Sequence, residues 1–320
     1  MTGIAQKQAV CWVVSDGRRG IENQALGLAE AVARLVPDTR LAIHTVHVTR
    51  EGFVALPSSP APDLWIGCGR VAIPLAAKHR RVFPQCYFVY VQDPRTRYRD
   101  FDLIVAPEHD RLRKSNAISM IGSPNRLSQS QFSNALAQFS EQLSEMPGAR
   151  AAILVGGNSK RFKLDDRVTD YLIHRLHTLL DQDIKLMVTV SRRTPDASRR
   201  RLRKEFSDRD DVWFFDGEEK NPYFAFLAAA DWIFVTEEST NMLVEAATTG
   251  KPVYALPLSG KAGKFAHLHA RLEGWGAVRP YLGQLDRWTY ARFAETDRVA
   301  AEVLERWQKR ASSGQQRMPT

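Results

Sequence analysis

Cysteine is scarce in this 320-residue chain: Cys11, Cys68 and Cys86 stand alone, with no CxxC pair. That excludes a disulfide-stapled scaffold and a cysteine-rich zinc site, and it suits a reducing compartment. Long apolar runs are missing too, and nothing approaches the ~20 residues needed to cross a bilayer. Residues 1–7 are polar, and the apolar run 9–14 reaches Asp16 without a small-residue cleavage pattern, so it reads as a strand and not as a signal peptide. A cytoplasmic protein is expected. There is no Walker A sequence. No Asp-x-Asp follows a strand: Asp100-Phe-Asp102 has the spacing but precedes one and reads as turn chemistry. The pairs His174/His177 and His267/His269 lack companion ligands, so no metal site is expected.

What remains is ordinary globular material, 44% apolar and 25% charged, long enough for two domains. The formal charge is +9. Residues 1–148 carry 17 Lys/Arg against 13 Asp/Glu and the remainder 28 against 23, so the excess is shared by both halves. Phosphates, nucleotides or an anionic membrane face are the partners such a balance favours. The densest run, Arg199 to Lys204, has no interleaved aromatic residue and reads as a solvated helix face; nucleic acid is not an expected partner.

Apolar strands are expected at 9–14, 41–48, 64–67, 87–91 and 103–106, with a helix over 23–35 and another entered from the turn Gly67-Cys68-Gly69-Arg70. A polar helix over 127–145 ends at Pro147-Gly148, a boundary signal. The pattern then restarts: strands at 151–155, 185–190, 212–215, 232–235 and 253–256, helices at 166–181 and 198–206, and a terminal helix near 298–308. Alternating strands and helices imply parallel sheets covered on both faces. The expected organisation is a Rossmann-like domain over 1–147, a second over 148–295, a helix over 296–310 returning to the first domain, and a disordered tail over 311–320.

Ligands of such sheets bind where the strand carboxyl ends gather, so the loops there hold the candidate residues. Gly156-Gly157-Asn158-Ser159-Lys160 offers two glycines for close backbone approach, a hydroxyl and a cation, the ingredients of a phosphate-binding turn; a plain strand-to-helix turn reads equally well. Ser191, Arg192 and Arg193 close the next strand and enter a helix, which suits a diphosphate. The third loop, Thr236-Glu237-Glu238-Ser239-Thr240-Asn241, runs into a helix carrying one acid, Glu245, before Gly250-Lys251-Pro252. A helix start attracts phosphate, and the Glu245 carboxylate is placed to accept both hydroxyls of a ribose; its bland alternative is a surface acid.

This order of hydroxyl loop, acid and Gly-x-Pro resembles the nucleotide-sugar half of glycosyltransferase-B enzymes such as the peptidoglycan N-acetylglucosaminyltransferase. Ser15-Asp16-Gly17-Arg18-Arg19-Gly20 stands where those enzymes carry a first Gly-rich loop. More narrowly, Asp16-Gly17-x-x-Gly20-x-x-Asn23-Gln24, Gln92-Asp93-Pro94-Arg95, Gly156-Gly157-Asn158 and Thr236-Glu237-Glu238-Ser239 resemble the mitochondrial-fission Elm-type family, over roughly residues 10–310. The resemblance implies a GT-B fold, two doubly wound domains facing a central cleft. Its functional implication is divided, since the plant members act as adaptors recruiting a dynamin-like GTPase whereas the fold implies glycosyl transfer.

Metal-independent transfer from a nucleotide-sugar co-substrate to an envelope lipid or glycan, at the inner face of the cytoplasmic membrane, is the expected activity, with no separate cofactor. It needs a base for the acceptor hydroxyl and cations for the leaving diphosphate. Asp16 or Glu22 is the candidate base; Gly17, Arg18, Gly20, Asn23, Gln24, Gln92, Asp93 and Arg95 form the acceptor side. Lys160, Arg192 and Arg193 neutralise the leaving group. One rival is a binding or adaptor protein on a retired enzyme scaffold. The other is an NAD-dependent sugar-nucleotide epimerase, suggested by Gly67-x-Gly69-x-x-Ala72 and Asp93. Against the second, that turn is not on the opening βα unit, and none of the eight tyrosines is followed four residues on by the lysine short-chain epimerases use.

Overall fold

A computed structural model describes residues 8–36, 41–48, 60–217 and 220–315. The chain forms two compact units, Met1–Arg126 with Ala294–Thr320, and Leu127–Phe293.

The first unit holds β1 (Ala9–Ser15), α1 (Arg19–Leu35), β2 (Leu41–His47), β3 (Leu64–Cys68), α2 (Ala72–Val82), β4 (Tyr87–Val91), β5 (Leu103–Pro107) and β6 (Ala117–Met120). The strands make one parallel sheet in the order β2-β1-β3-β4-β5-β6. β3, β4 and β5 are buried throughout, so they read as unbroken apolar runs rather than alternating ones. One face of the sheet packs on α1, the other on α2. Gly67 is glycine because a Cβ there would lie 2.3 Å from the Trp65 ring.

The second unit begins earlier than the Pro147–Gly148 turn. The expected helix over 127–145 is broken at Phe139 into α3 (Gln129–Gln138) and α4 (Ser140–Ser144). At the break the Phe139 ring lies edge-on to Trp213, 5.7 Å between centroids, which fastens the pair to the second unit. There follow β7 (Arg150–Val155), β8 (Phe162–Lys163), α5 (Asp166–Leu180), β9 (Lys185–Val190), α6 (Asp196–Phe206), β10 (Val212–Phe215), α7 (Tyr223–Ala229), β11 (Trp232–Thr236), α8 (Thr240–Thr248), β12 (Val253–Leu256), β13 (Ser259–Gly260), α9 (Ala266–Gly274) and β14 (Val278–Pro280). Its parallel sheet runs β10-β9-β7-β11-β12-β14, and β8 pairs antiparallel with β13. In each sheet the strand order reverses once, beside the first strand: between β1 and β3, and between β7 and β11.

The chain closes with α10 (Glu295–Gln315), which lays Val299, Ala300 and Val303 into the core shared by β1, β3 and α1. Glu295 accepts the Ile121 N–H at 2.8 Å, and Arg34 meets Asp297 at 3.1 Å. Residues 311–315, expected as tail, are helical; 316–320 lie outside the described residues. No helix among the described residues is long and apolar enough to cross a membrane.

Because Val303 is fully buried, Val303→Ala is expected to cost the first unit about 2 kcal/mol. Urea unfolding followed by the fluorescence of Trp12 and Trp65, both buried in that unit, checks it. A loss under about 0.5 kcal/mol would mean that α10 only rests on the surface.

Candidate functional site

The reversal point of the second sheet is where three loops meet. Gly156 N–H donates to Thr236 Oγ1 at 2.8 Å, and Gly157 N–H donates to Glu238 Oε1 at 2.6 Å. Asn158 N–H donates to Arg193 O at 3.1 Å and Ser159 N–H to Phe162 O at 3.0 Å. Thr194 Oγ1 donates to Gly156 O. The loops after β7, β9 and β11 are therefore tied into one body. The glycines are required for loop-on-loop packing: a Cβ at Gly156 would sit 1.8 Å from Glu238 Oε1, and one at Gly157 2.1 Å from Arg193 O. This corrects the phosphate-turn expectation, since all four amides from Gly156 to Ser159 already have acceptors within the chain.

Glu238 is the centre of the cluster. Burial pushes its carboxyl up; the Gly157 amide, the Thr236 hydroxyl and Arg193, 3.4 Å away, pull it down without cancelling that. Its Oε2 is buried with no hydrogen-bond partner among the described residues. Lys160, Arg192 and Arg193 are exposed, and Arg193 reaches it. The start of α6 is a poor anion site, because Asp196 lies in its first turn. The start of α8 is better: Ser239 precedes it without a side-chain cap, and no acid lies in its first turn.

Glu245 is not a surface acid. It lies partly buried on α8 and accepts the phenol of Tyr223 from the first turn of α7. Burial raises its carboxyl to about 7 against the Tyr223 hydrogen bond, which lowers it. Burial, then the Glu245 charge, holds the Tyr223 phenol well above its usual value.

In the first unit the loop after β1 holds a separate polar cluster. Glu22 Oε2 accepts from Ser15 Oγ at 2.9 Å and lies 2.5 Å from His47 Nε2, at the end of β2. Gly17, at φ +72°, lies under the His47 ring. Asp16 is bound by Arg18 at 2.7 Å; burial alone would raise its carboxyl, but Arg18 holds it below the usual value, which makes it a weaker base. Gln24 is buried, donating to Gly20 O and accepting from Gln92 at 3.1 Å, so it props the loops and does not face a ligand. Asp93 Oδ1 accepts from Arg95 N–H and Tyr98 Oη, building a turn. Arg18, Gly20 and Arg95 are exposed and Asn23 is half-buried. His47 and Tyr223 were not singled out from the sequence, whereas Thr236 opens the third loop read from it. His47 and Thr236 end strands, and the same strand-end rule finds them; Tyr223 carries no such signal.

Two doubly wound parallel-sheet units define a protein of the GT-B fold class. Solved structures agree. UDP-GlcNAc 2-epimerase from Methanocaldococcus jannaschii matches over 93% of this chain and 99% of that one, with a TM-score of 0.57 at 10% identity. The Neisseria meningitidis UDP-GlcNAc 2-epimerase, bound to UDP-GlcNAc, matches over 95% and 94%, at 0.52 and 10%. At such identity the likeness is one of fold. The profile described as mitochondrial fission ELM1 matches residues 19–307, and the chain belongs to that family. Among its relatives, mitochondrial fission protein ELM1 of Arabidopsis thaliana is 25% identical over 269 residues, 76% of this chain and 63% of that protein. The uncharacterised protein RP120 of Rickettsia prowazekii is 25% identical over 291 residues, 76% and 82%. The chain thus spans less than two thirds of its plant relative.

The Glu245 carboxyl yields a pH prediction. With a folded value near 7 against the ordinary 4.5, the folded state holds the extra proton between those pH values. Stability therefore falls as pH rises through that window and is lowest, on this account, above it. Glu245→Gln keeps an acceptor for Tyr223 and removes the ionisation. Its melting temperature should exceed that of the parent above pH 7, with the gap closing toward pH 4.5; a gap that ignores pH rejects the assignment.

Proposed function

We propose that the second unit binds a nucleotide-activated sugar and that the protein transfers the sugar to a hydroxyl acceptor without a metal. The observation that carries this is the convergence of three loops at the sheet's reversal point, the place where open α/β sheets bind ligands. Because the glycine-turn amides are engaged, the diphosphate is held by Lys160, Arg192 and Arg193 side chains and by the α8 start, Ser239, Thr240 and Asn241. Glu245 takes the ribose, its second oxygen or a displaced Tyr223 making room. Solved relatives in fold bind UDP and UDP-GlcNAc, which supports a uridine donor. In the first unit Glu22 serves as base in preference to Asp16, since its partners are Ser15 and His47 rather than an arginine, and Gly17, Arg18, Asn23, Gln92 and Arg95 address the acceptor. An envelope lipid or glycan at the cytoplasmic membrane suits the basic balance of the chain.

A second reading, an adaptor built on a former transferase, is favoured by one observation: Glu238 fills the turn where a phosphate would otherwise find amides. A donor titration separates the two. UDP, GDP and CMP sugars are added while melting temperature is followed, because a ligand of the native state raises it by mass action. One family of donors should do so, and Glu245→Ala should weaken it by about 1–3 kcal/mol. A folded protein whose melting ignores every donor is the adaptor.

A further inference from the structure

Beside the loop cluster, the second unit contains a cavity of about 200 Å³ at the carboxyl ends of β12 and β14, roofed by α8 and α9. Leu243, Leu272 and Val278 give it apolar walls; Glu237, His269 and Glu273 give it polar ones. We propose that this cavity is the subsite for a neutral, hydroxyl-bearing sugar ring. For its link to the diphosphate the inference rests on the donor reading above; for the cavity's own chemistry it does not.

The polar groups decide the ligand class. Glu237 Oε1 accepts the Leu258 N–H at 2.7 Å, which fixes the carboxylate and leaves Oε2 for another donor. His269 Nε2 lies 2.9 Å from Glu237 O. A carbonyl only accepts, so Nε2 carries the proton and, in the neutral ring, Nδ1 is an acceptor. Glu273 is exposed. The polar lining thus offers two carboxylates, one ring acceptor and the Tyr281 phenol, whose oxygen is buried without a hydrogen-bond partner among the described residues, with no arginine or lysine. A phosphate or carboxylate ligand is repelled there. A pyranose fits both kinds of wall: its hydroxyls donate to the carboxylates and its C–H faces lie on leucine and valine. The volume, below the ~300 Å³ at which pockets for drug-sized molecules begin, accommodates one ring and not a whole nucleotide sugar.

Position ties the cavity to the diphosphate loops. Glu237 and Glu238 are neighbours in one loop; Glu238 is fastened to Gly157, while Glu237 lines the cavity. Leu243, in the first turns of α8, is part of its wall. A diphosphate at the start of α8 therefore has a ring-sized compartment beside it. Leu282, 83% exposed, forms the lip.

The test uses the full chain and two variants that spare the fold: Glu237→Gln, which keeps the acceptor for Leu258 N–H, and Glu273→Ala at the exposed lip. Calorimetry compares UDP with UDP-glucose and UDP-GlcNAc, and ligand-observed NMR follows free glucose, N-acetylglucosamine and glucosamine. A sugar-bearing donor should bind more tightly than UDP. Glu237→Gln should cut that advantage about tenfold, the loss of a hydrogen bond to a charged group, and leave UDP itself unaltered. If UDP binds but the sugar adds nothing, or its advantage survives both variants, the subsite is wrong while the donor reading stands. If UDP fails to bind yet free sugar binds in a Glu237-dependent way, the donor reading falls and the cavity assignment stands. Binding of glucosamine alone among free sugars would replace a hydroxyl ligand by an ammonium and overturn the proposal, as would no binding by any probe.

Discussion

Much of the second unit's functional end depends on the hydrogen bond from Gly157 N–H to the buried carboxylate of Glu238. A carboxylate in that position is expensive, and leaving its Oε2 unpartnered adds about 1–3 kcal/mol of desolvation cost. What it achieves is the closure of three loops into one rigid platform, with Thr236 and Arg193 completing the ring around it. The two glycines follow from this geometry, because any side chain on them would strike Glu238 or the Arg193 backbone. A motif that looks like a ligand cradle is, in its backbone, a self-cradle. The side chains on its rim, not its amides, are what it leaves to solvent.

The first unit repeats the plan with other contents. At the end of β1 the acid is Glu22, reached from its own helix and held by a serine and a histidine rather than by backbone amides. A second chain of polar side chains, Cys68, Gln24 and Gln92, lies under the loops. Gln92 adopts φ +90°, a conformation few non-glycine residues accept. The side-chain bond to Gln24 and its amide bond to Val105 O hold it there. The first site is thus exposed and polar where the second is closed and buried.

The strands were legible because strands buried on both faces leave long apolar runs; β4 and β11 could hardly read otherwise. Two of the short edge strands were not. β6 and β14, of four and three residues, have too little pattern to stand out, and α7 and α9 are apolar or mixed segments with no capping signal. The domain boundary was misplaced because Pro147-Gly148 is a true local break, whereas α3 and α4 owe their allegiance to Trp213, some seventy residues on. At the site the same division holds. Which loops matter follows from strand ends, a property of order along the chain. What each residue does there depends on partners about 80 residues away, as Glu238 on Gly157, or on another helix, as Glu245 on Tyr223.

Charge shows why local pairing outweighs composition. The run from Arg199 to Lys204 is the most basic stretch of the chain, yet Arg199 binds Ser191 O, Arg201 meets Asp166 and Asp170, and Arg203 meets Asp216. Much of the run is spent on its neighbours, while Lys160, Arg192 and Arg193 of the loop cluster are exposed. At Glu238 the balance is local as well: burial pushes its carboxyl up while the Gly157 amide, the Thr236 hydroxyl and the neighbouring Arg193 pull it down. That burial is supplied by the same glycine turn whose Gly157 amide it takes.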